Sequence, residues 1–246
     1  MRHSNTHTII FVTCMAIFAS LLLSLTYTTL KPLQDVNIEV DMKRNILKSI
    51  GKDTGSMNSD QVVKMYDDVI TEIVLTMSGN VDTTISISDL VILEDKSTGE
   101  VKYFYESARY LPAYESTDLS SAFIIPISGK GLWSTLYGYF AISKNDFSTS
   151  KGITFYKHGE TPGLGAEVEQ DWFQDQFKES SNKQIFNSLG ELKSISVVKK
   201  AKSSSRDEVD GISGATITSK GVSDFLYRDL NNYKSYLIKE YTKKNG

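Results

Sequence analysis

Cysteine and histidine are nearly absent from this sequence. Cys14 is the only cysteine, so no internal disulfide forms. One thiolate also cannot hold an iron–sulfur cluster, which needs several. Of the three histidines, His3, His7 and His158, only His158 lies in the main body. That argues against a His-rich zinc or haem site, so any redox chemistry falls to an organic cofactor. Proline is scarce, and no low-complexity tract or internal repeat occurs, which argues against long disorder. The net charge of −3 argues against nucleic acid, which favours a basic patch.

Charge is missing altogether between Arg2 and Lys31. The run over residues 8–30 includes Ile9, Ile10, Phe11, Val12, Met15, Ile17, Phe18, Leu21, Leu22, Leu23 and Leu25. About 20 such residues in a helix cross a bilayer, and Tyr27 would sit near the headgroups. A cleaved signal peptide needs small residues after the apolar stretch, but Thr26, Tyr27, Thr28, Thr29 and Leu30 follow it. A lipidated Cys14 fits poorly, because Thr13 precedes it and a long apolar run follows. The expectation is a retained anchor. Orientation stays open. Arg2 precedes the helix, while Lys31, Lys43, Arg44 and Lys48 follow it, which would place the C-terminal side in the cytoplasm. Large domains, however, often cross regardless of charge.

The length allows one domain of moderate size plus this anchor. Residues 35–50 read as a helix ending at Gly51, and the polar stretch 52–58 reads as a linker. A stronger helix is expected from Ser59, with Val62, Met65, Tyr66, Val69, Ile70, Ile73, Val74 and Met77 at helical spacing and Gly79 as its stop. Strands are expected at 85–93, 101–105, 122–127, 135–142, 153–156 and 194–198. A short helix is expected at 172–177. A last helix would begin near Ser219, carrying Val222, Phe225, Leu226, Leu230, Tyr233 and Leu237 on one face. Strands grouped between flanking helices predict an α+β fold with antiparallel strands, not a doubly wound one. The expected division is an anchor over 1–30, a stalk helix and linker over 31–58, and a single domain over 59–246.

Three motifs carry the chemistry. The first is Asp210-Gly-Ile-Ser-Gly-Ala-Thr216-Ile-Thr218. Gly211 and Gly214 allow a sharp bend, and Thr218 or Ser219 can cap the helix that follows. Thr216 is then expected on a loop just before a helix N-terminus, where free N–H groups and the dipole suit a phosphate. The plain alternative is a glycine turn with a capping threonine. The second is His158-Gly-Glu-Thr-Pro-Gly-Leu-Gly165. It is a rigid loop in which backbone can approach a planar ligand, or else a structural turn. A lone His158 is more often a surface or capping residue than a catalyst. The third is Pro126-Ile-Ser-Gly129-Lys-Gly131-Leu-Trp133-Ser134. Lys130 offers a cation for phosphate and Trp133 an apolar plane; the plain alternative is a hairpin loop whose Trp fills the core.

Together, in this order, the three motifs resemble the FMN-binding domain family. Leu30-Lys-Pro-Leu-Gln and Arg44-Asn-Ile-Leu-Lys extend the resemblance over nearly the whole chain. Gly-Lys-Gly-Leu-Trp-Ser and His-Gly-Glu-Thr-Pro-Gly-Leu-Gly favour the branch formed by the C-type subunits of sodium-translocating NADH:quinone reductases. The G-type subunits of ion-pumping ferredoxin:NAD⁺ oxidoreductases are the near relatives.

The resemblance implies a flavin transferase that takes FMN from FAD and esterifies it to Thr216. Asp210, Gly211, Ser213, Gly214 and Ala215 would complete that attachment motif. Glu160, Thr161, Gly163 and Leu164 would contact the ring. Lys130, Gly131, Leu132, Trp133 and Ser134 would line its pocket, with His158 and Thr218 also at the cofactor. No catalytic residue and no metal is implied: the chain would be an electron carrier. It would sit by one span in a bacterial inner membrane, flavin domain facing the periplasm. Its complex of six subunits would oxidise NADH, reduce ubiquinone and export Na⁺.

Two other readings fit fewer of these residues. Gly211-Ile-Ser213-Gly-Ala215 partly echoes a hydrolase nucleophile elbow, but Ala215 replaces the last glycine and His158 would be the only base. An anchored extracytoplasmic ligand-binding sensor shares the architecture without any output domain.

Overall fold

The computed structural model describes residues 5–245, so Arg2 and His3 lie outside the described residues. The chain divides into two compact units, Met1–Asp41 and Met42–Gly246.

Helix α1 spans Asn5–Ser49 without a break at Pro32. Its most apolar 18 residues have a mean hydropathy of 2.4 and none is buried. By length and composition it can cross a membrane. Thr26, Thr28 and Thr29 donate their hydroxyls to the carbonyls four residues back, which satisfies them without water.

The larger unit begins with the last turns of α1, which bury Ile46 and Leu47. Residues 52–58 are irregular but held in place. Arg44 donates to the carbonyls of Thr54 and Met57, and Lys52 pairs with Asp118. Asn58 and Gln61 then form a reciprocal capping box that starts α2, Ser59–Val69.

The expected long helix stops there, because residues 70–76 form strand β1, Ile70–Thr76. Ile70, Thr71, Ile73, Val74 and Thr76 are β-branched, and β1 pairs residue for residue with Ser116 back to Tyr110. The helical spacing of Ile70, Ile73 and Val74 is real, but tertiary pairing overrides it.

Strands β2 (Val81–Asp82), β3 (Val91–Glu94), β4 (Val101–Tyr105), β5 (Ala108–Ser116), β6 (Ala122–Lys130), β7 (Thr135–Ser143) and β8 (Ser150–Lys157) complete the sheet. Its order is β2-β1-β5-β6-β7-β8, with β3 joined through β4 to β5, and every pairing is antiparallel. The expected strand at 85–93 is split, because the Asp89 carboxylate accepts from Ser86 N–H and turns residues 87–89 into a 3₁₀ helix. Strand β5 is absent from the strands expected above. Pro112 interrupts its pattern, yet lies where the partner on one edge changes from β4, ending at Tyr110, to β6, starting at Tyr114.

Beyond the sheet come α3 (Asp171–Gln174), the short parallel pair β9 (Ser196–Val198) and β10 (Glu208–Asp210), then α4 (Thr216–Asn232) and α5 (Lys234–Asn245). The last helix is thus two helices. Tyr233 breaks it, and its buried hydroxyl donates to the Pro112 carbonyl.

Alternation places Phe123, Ile125 and Ile127 of β6 against Phe225, Leu226 and Leu230 of α4 in the main core. Each such burial contributes about 1.5–3 kcal/mol. Ile124 and Tyr139 are equally buried on the opposite side of the strands, so both sheet faces are covered. Thr154 on β8 donates to the Asn45 carbonyl of α1 at 3.1 Å, and Tyr66 of α2 to Glu72 of β1 at 2.7 Å. The α+β expectation therefore holds.

Helix α4 lies hard against the end of β6. A Cβ on Gly221 would fall 2.1 Å from the Lys130 carbonyl oxygen. Near its other end, Asp229 Oδ2 accepts from Ser128 N–H at 2.9 Å, while Arg228 donates to the Ser128 carbonyl.

Candidate cofactor site

The three motifs converge at the N-terminus of α4. Gly214 adopts φ +77°, a conformation that L side chains rarely take. The turn is tied off by Ile212 N–H donating to Ser219 Oγ at 3.0 Å, and Ala215 N–H to the Ile212 carbonyl at 3.1 Å. The helix therefore starts at Thr216 rather than near Ser219, and Thr216 belongs to its first turn. Neither Thr218 nor Ser219 caps it, against expectation: the cap position is Ala215, with no side-chain cap bond. Both hydroxyls are engaged elsewhere, Ser219 with Ile212 and Thr218 with Glu160. Thr216 and Ser213 are exposed, whereas Thr218 is 1% exposed.

Glu160 joins all three motifs. Its Oε1 accepts from the N–H groups of Trp133 at 2.9 Å and Ser134 at 3.0 Å, and from the Ser134 hydroxyl at 3.4 Å. Its Oε2 accepts from Leu132 N–H at 3.1 Å and the Thr218 hydroxyl at 2.7 Å. Burial works against the charge. The bonds from Thr218, Trp133, Ser134 and Leu132 outweigh it and hold the carboxyl below its ordinary range. The carboxylate expected at the flavin ring is thus buried inside the protein, because five donors surround it.

Around this clamp the loops are arranged outward. Leu132 and Trp133 are 48% and 72% exposed, so Trp133 does not fill the core. Leu164 is exposed and its side chain lies over Gly214, where a Cβ would meet it at 2.9 Å. Ile217, unforeseen from the sequence, is a further exposed apolar side chain beside Thr216. The loop at 161–165 is braced by Leu164 and Ala166 N–H groups donating to the Thr161 carbonyl, and Gly163 has open space about it.

Three expected site residues are engaged differently. The Lys130 ammonium donates to Thr135 Oγ1 at 3.0 Å, and that hydroxyl to Glu94 at 2.8 Å, so it is held beside β7 and β3. Asp210 accepts from Ala201 N–H at 2.7 Å, and its backbone is gripped by Gln176; it orders the β9–β10 connection. His158 Nδ1 accepts from Glu160 N–H at 3.3 Å while Nε2 faces Glu169 at 3.1 Å. Both ring nitrogens are occupied, which removes the base a Ser213 hydrolase would need. Glu160 as the connector is invisible in the sequence, since its partners lie 26 to 58 positions away.

The donor set fits a flavin mononucleotide. An uncapped helix N-terminus beside an exposed hydroxyl suits a phosphate, and exposed apolar side chains beside it suit a planar ring.

A profile of the FMN-binding domain family matches residues 131–231, which include two of the three motifs whole and residues 131–134 of the other. The C subunit of the Na⁺-translocating NADH-quinone reductase of Pseudomonas aeruginosa is 30% identical over 243 residues, covering 92% of this chain and 91% of its own. Its counterpart in Neisseria meningitidis serogroup B is 32% identical over 251 residues, covering 97% and 95%. The crystal structure of the same reductase component from Parabacteroides distasonis superposes with a TM-score of 0.68 at 30% identity, over 85% of this chain and 96% of that one. Shewanella oneidensis NqrC shares the fold, with a TM-score of 0.65 at 24% identity over 82% and 97%. The matches run over nearly the whole chain, and this chain belongs to the family of C subunits of Na⁺-translocating NADH-quinone reductases.

Proposed function

We propose that this protein is the FMN-carrying electron-transfer subunit of a Na⁺-translocating NADH:ubiquinone oxidoreductase, with the FMN phosphate esterified to Thr216. The observation that carries the linkage is the placement of Thr216. It is exposed, in the first turn of α4, at a helix N-terminus no side chain caps. Unpaired N–H groups and the positive dipole end favour a phosphodiester there.

Attachment is a group transfer. Thr216 Oγ attacks the phosphorus on the flavin side of the FAD pyrophosphate. The P–O bond to threonine forms, the bond to the AMP phosphate breaks, and AMP leaves. The hydroxyl proton passes to a base of the flavin transferase. Ser213, Gly214 and Ala215 set the turn that presents the hydroxyl. Leu132, Trp133, Leu164 and Ile217 supply apolar surface for the ring, with Thr161 and the backbone near Gly163 at its polar edge. When bound, FMN supplies the electron transfer; the protein anchors it, shields part of it and leaves an edge open for exchange.

The same reading puts the anchor, residues 1–30, in the bacterial inner membrane and the flavin domain, within 59–246, on the periplasmic side. The partners are the other members of a complex of six subunits. An ester suits that side of the membrane, because free flavin is scarce outside the cytoplasm.

The test is a mass measurement. The anchored protein is expressed with its flavin transferase, denatured and digested. An FMN-sized addition on the peptide containing Thr216, with flavin fluorescence surviving denaturation, is the expected result. An unmodified peptide from a transferase-competent, exported sample would sink the linkage.

A further inference from the structure

Three consecutive backbone N–H groups, those of Leu132, Trp133 and Ser134, point at one anion. Such nests bind phosphates and other external anions in many proteins. Here the chain fills its own nest with the Glu160 carboxylate. The walls leave no room for anything else: a Cβ on Gly131 or Gly165 would fall 2.6 or 2.5 Å from a carboxylate oxygen. Glu160 is 6% exposed. Its carboxylate oxygens are taken up by these internal donors, and what it determines is the posture of the exposed loops around it. Through Leu132 and Trp133 it fixes the loop at 131–134, and through Thr218 it fixes the first turn of α4, two residues beyond Thr216.

We propose that Glu160 is a positioning residue for flavin attachment: its buried carboxylate locks the 131–134 loop to the first turn of α4, so that Thr216 rather than Thr218 is offered as the acceptor hydroxyl. This rests on the reading of Thr216 as the attachment site. The bonds made and broken in the transfer are unchanged, with the FAD pyrophosphate cleaved and AMP released. Charge and acceptor capacity are required rather than size. Glutamine has one acceptor oxygen, and its NH₂ would meet N–H donors head-on. Sequestration of Thr218 is part of the same act, because a hydroxyl donating to a buried carboxylate is not free to attack phosphorus.

The experiment uses the full-length, detergent-solubilised apoprotein in a Trp172→Phe background, which leaves Trp133 as the only tryptophan. Flavin transfer from FAD by the flavin transferase is followed by mass, and Trp133 anisotropy is read before FAD is added. Glu160→Gln is expected to lower kcat/KM for the protein acceptor by about 10- to 100-fold, the effect of losing one hydrogen bond to a charged group. The KM for FAD should stay unchanged, and Trp133 anisotropy should fall in the apoprotein. Thr218→Val, nearly isosteric, is expected to show a smaller loss, up to about tenfold.

An unmodified parent protein would defeat the attachment reading itself. A modified parent alongside a Glu160→Gln protein modified at the same rate would overturn this inference alone. So would a variant that melts earlier but, while folded, is modified at the parental rate, since its role would then be merely structural. A slower rate with unchanged Trp133 anisotropy would overturn it as well, because the loop would not be the intermediary. If Glu160→Gln fails to fold, Thr218→Val decides: modification at the parental rate overturns the proposal, and a slower rate with lowered anisotropy supports it.

Discussion

The Thr218 hydroxyl donates to Glu160 Oε2 at 2.7 Å, and this bond separates two threonines that look equivalent in the sequence. Residues two apart on a helix are displaced by about 200° around its axis. Thr218 therefore turns inward and is 1% exposed, while Thr216 is left at the surface.

Thr216→Val should abolish covalent flavin and leave the fold intact. An exposed side chain away from any buried contact shifts stability by about 0.5 kcal/mol or less. Flavin fluorescence on a denaturing gel and a thermal melt check both halves. Thr216→Ser, which keeps the hydroxyl, should retain the flavin.

Acid should weaken the clamp in a way a single variant isolates. Burial opposes the charged form of Glu160, but the bonds from Thr218, Trp133, Ser134 and Leu132 win and keep its folded pKa below the ordinary value. Its stabilisation is fully present above the unfolded pKa, about 4.3, and is lost as pH falls through the folded value. Urea midpoints between about pH 5 and about pH 3 should fall more steeply for the native protein than for Glu160→Gln. Parallel slopes would contradict this.

Asp229 should act with the opposite sign. Burial pushes its pKa up to about 7, against the lowering by the Arg228 guanidinium and the Ser128 N–H, with the Glu100 charge raising it further. The folded protein then keeps a proton that the unfolded chain releases near pH 3.9. Asp229 thus costs stability increasingly as pH rises from about 4 to about 7, and no further above that. Asp229→Asn should remove this slope, so its melting temperature relative to the native protein should be higher at pH 8 than at pH 5. An unchanged difference across that range would refute the assignment.

Gly221→Ala should destabilise, although it lies inside α4. On an exposed helix face the same change gains about 1 kcal/mol. Here the new methyl would sit 2.1 Å from the Lys130 carbonyl oxygen, which is backbone and cannot rotate away. A loss of about 1–3 kcal/mol is expected, read from chemical denaturation, together with a displaced 131–134 loop and slower flavin attachment. A more stable variant would show that α4 and β6 are farther apart than described.

Much of this was legible in order along the chain. The apolar run before Lys31, the strand at 101–105 and the three glycine loops are encoded by short-range chemistry: uninterrupted hydrophobicity, β-branched and aromatic runs, and residues that permit sharp turns. The spacing of Ile70, Ile73 and Val74, by contrast, pointed to a helix. Only the long pairing with β5 made them a strand, and β5 itself was hidden by Pro112.

At the site the division is the same. The residues by themselves placed Thr216 beside a glycine turn close to a helix start, and marked two further glycine loops along the chain; that Thr216 lies inside the first turn of α4, and that the three loops meet there, came from the packed structure. Tertiary structure alone decided that Glu160 is a buried clamp, that Lys130 is held by Thr135, and that Trp133 faces outward. The physical reason is reach. A turn or a helix start is set by torsion angles and neighbours within a few residues. The partner of a carboxylate or an ammonium is chosen by whichever donors and acceptors the packed sheet and helix bring within about 3 Å, and for Glu160 these come from as far as 58 residues along the chain.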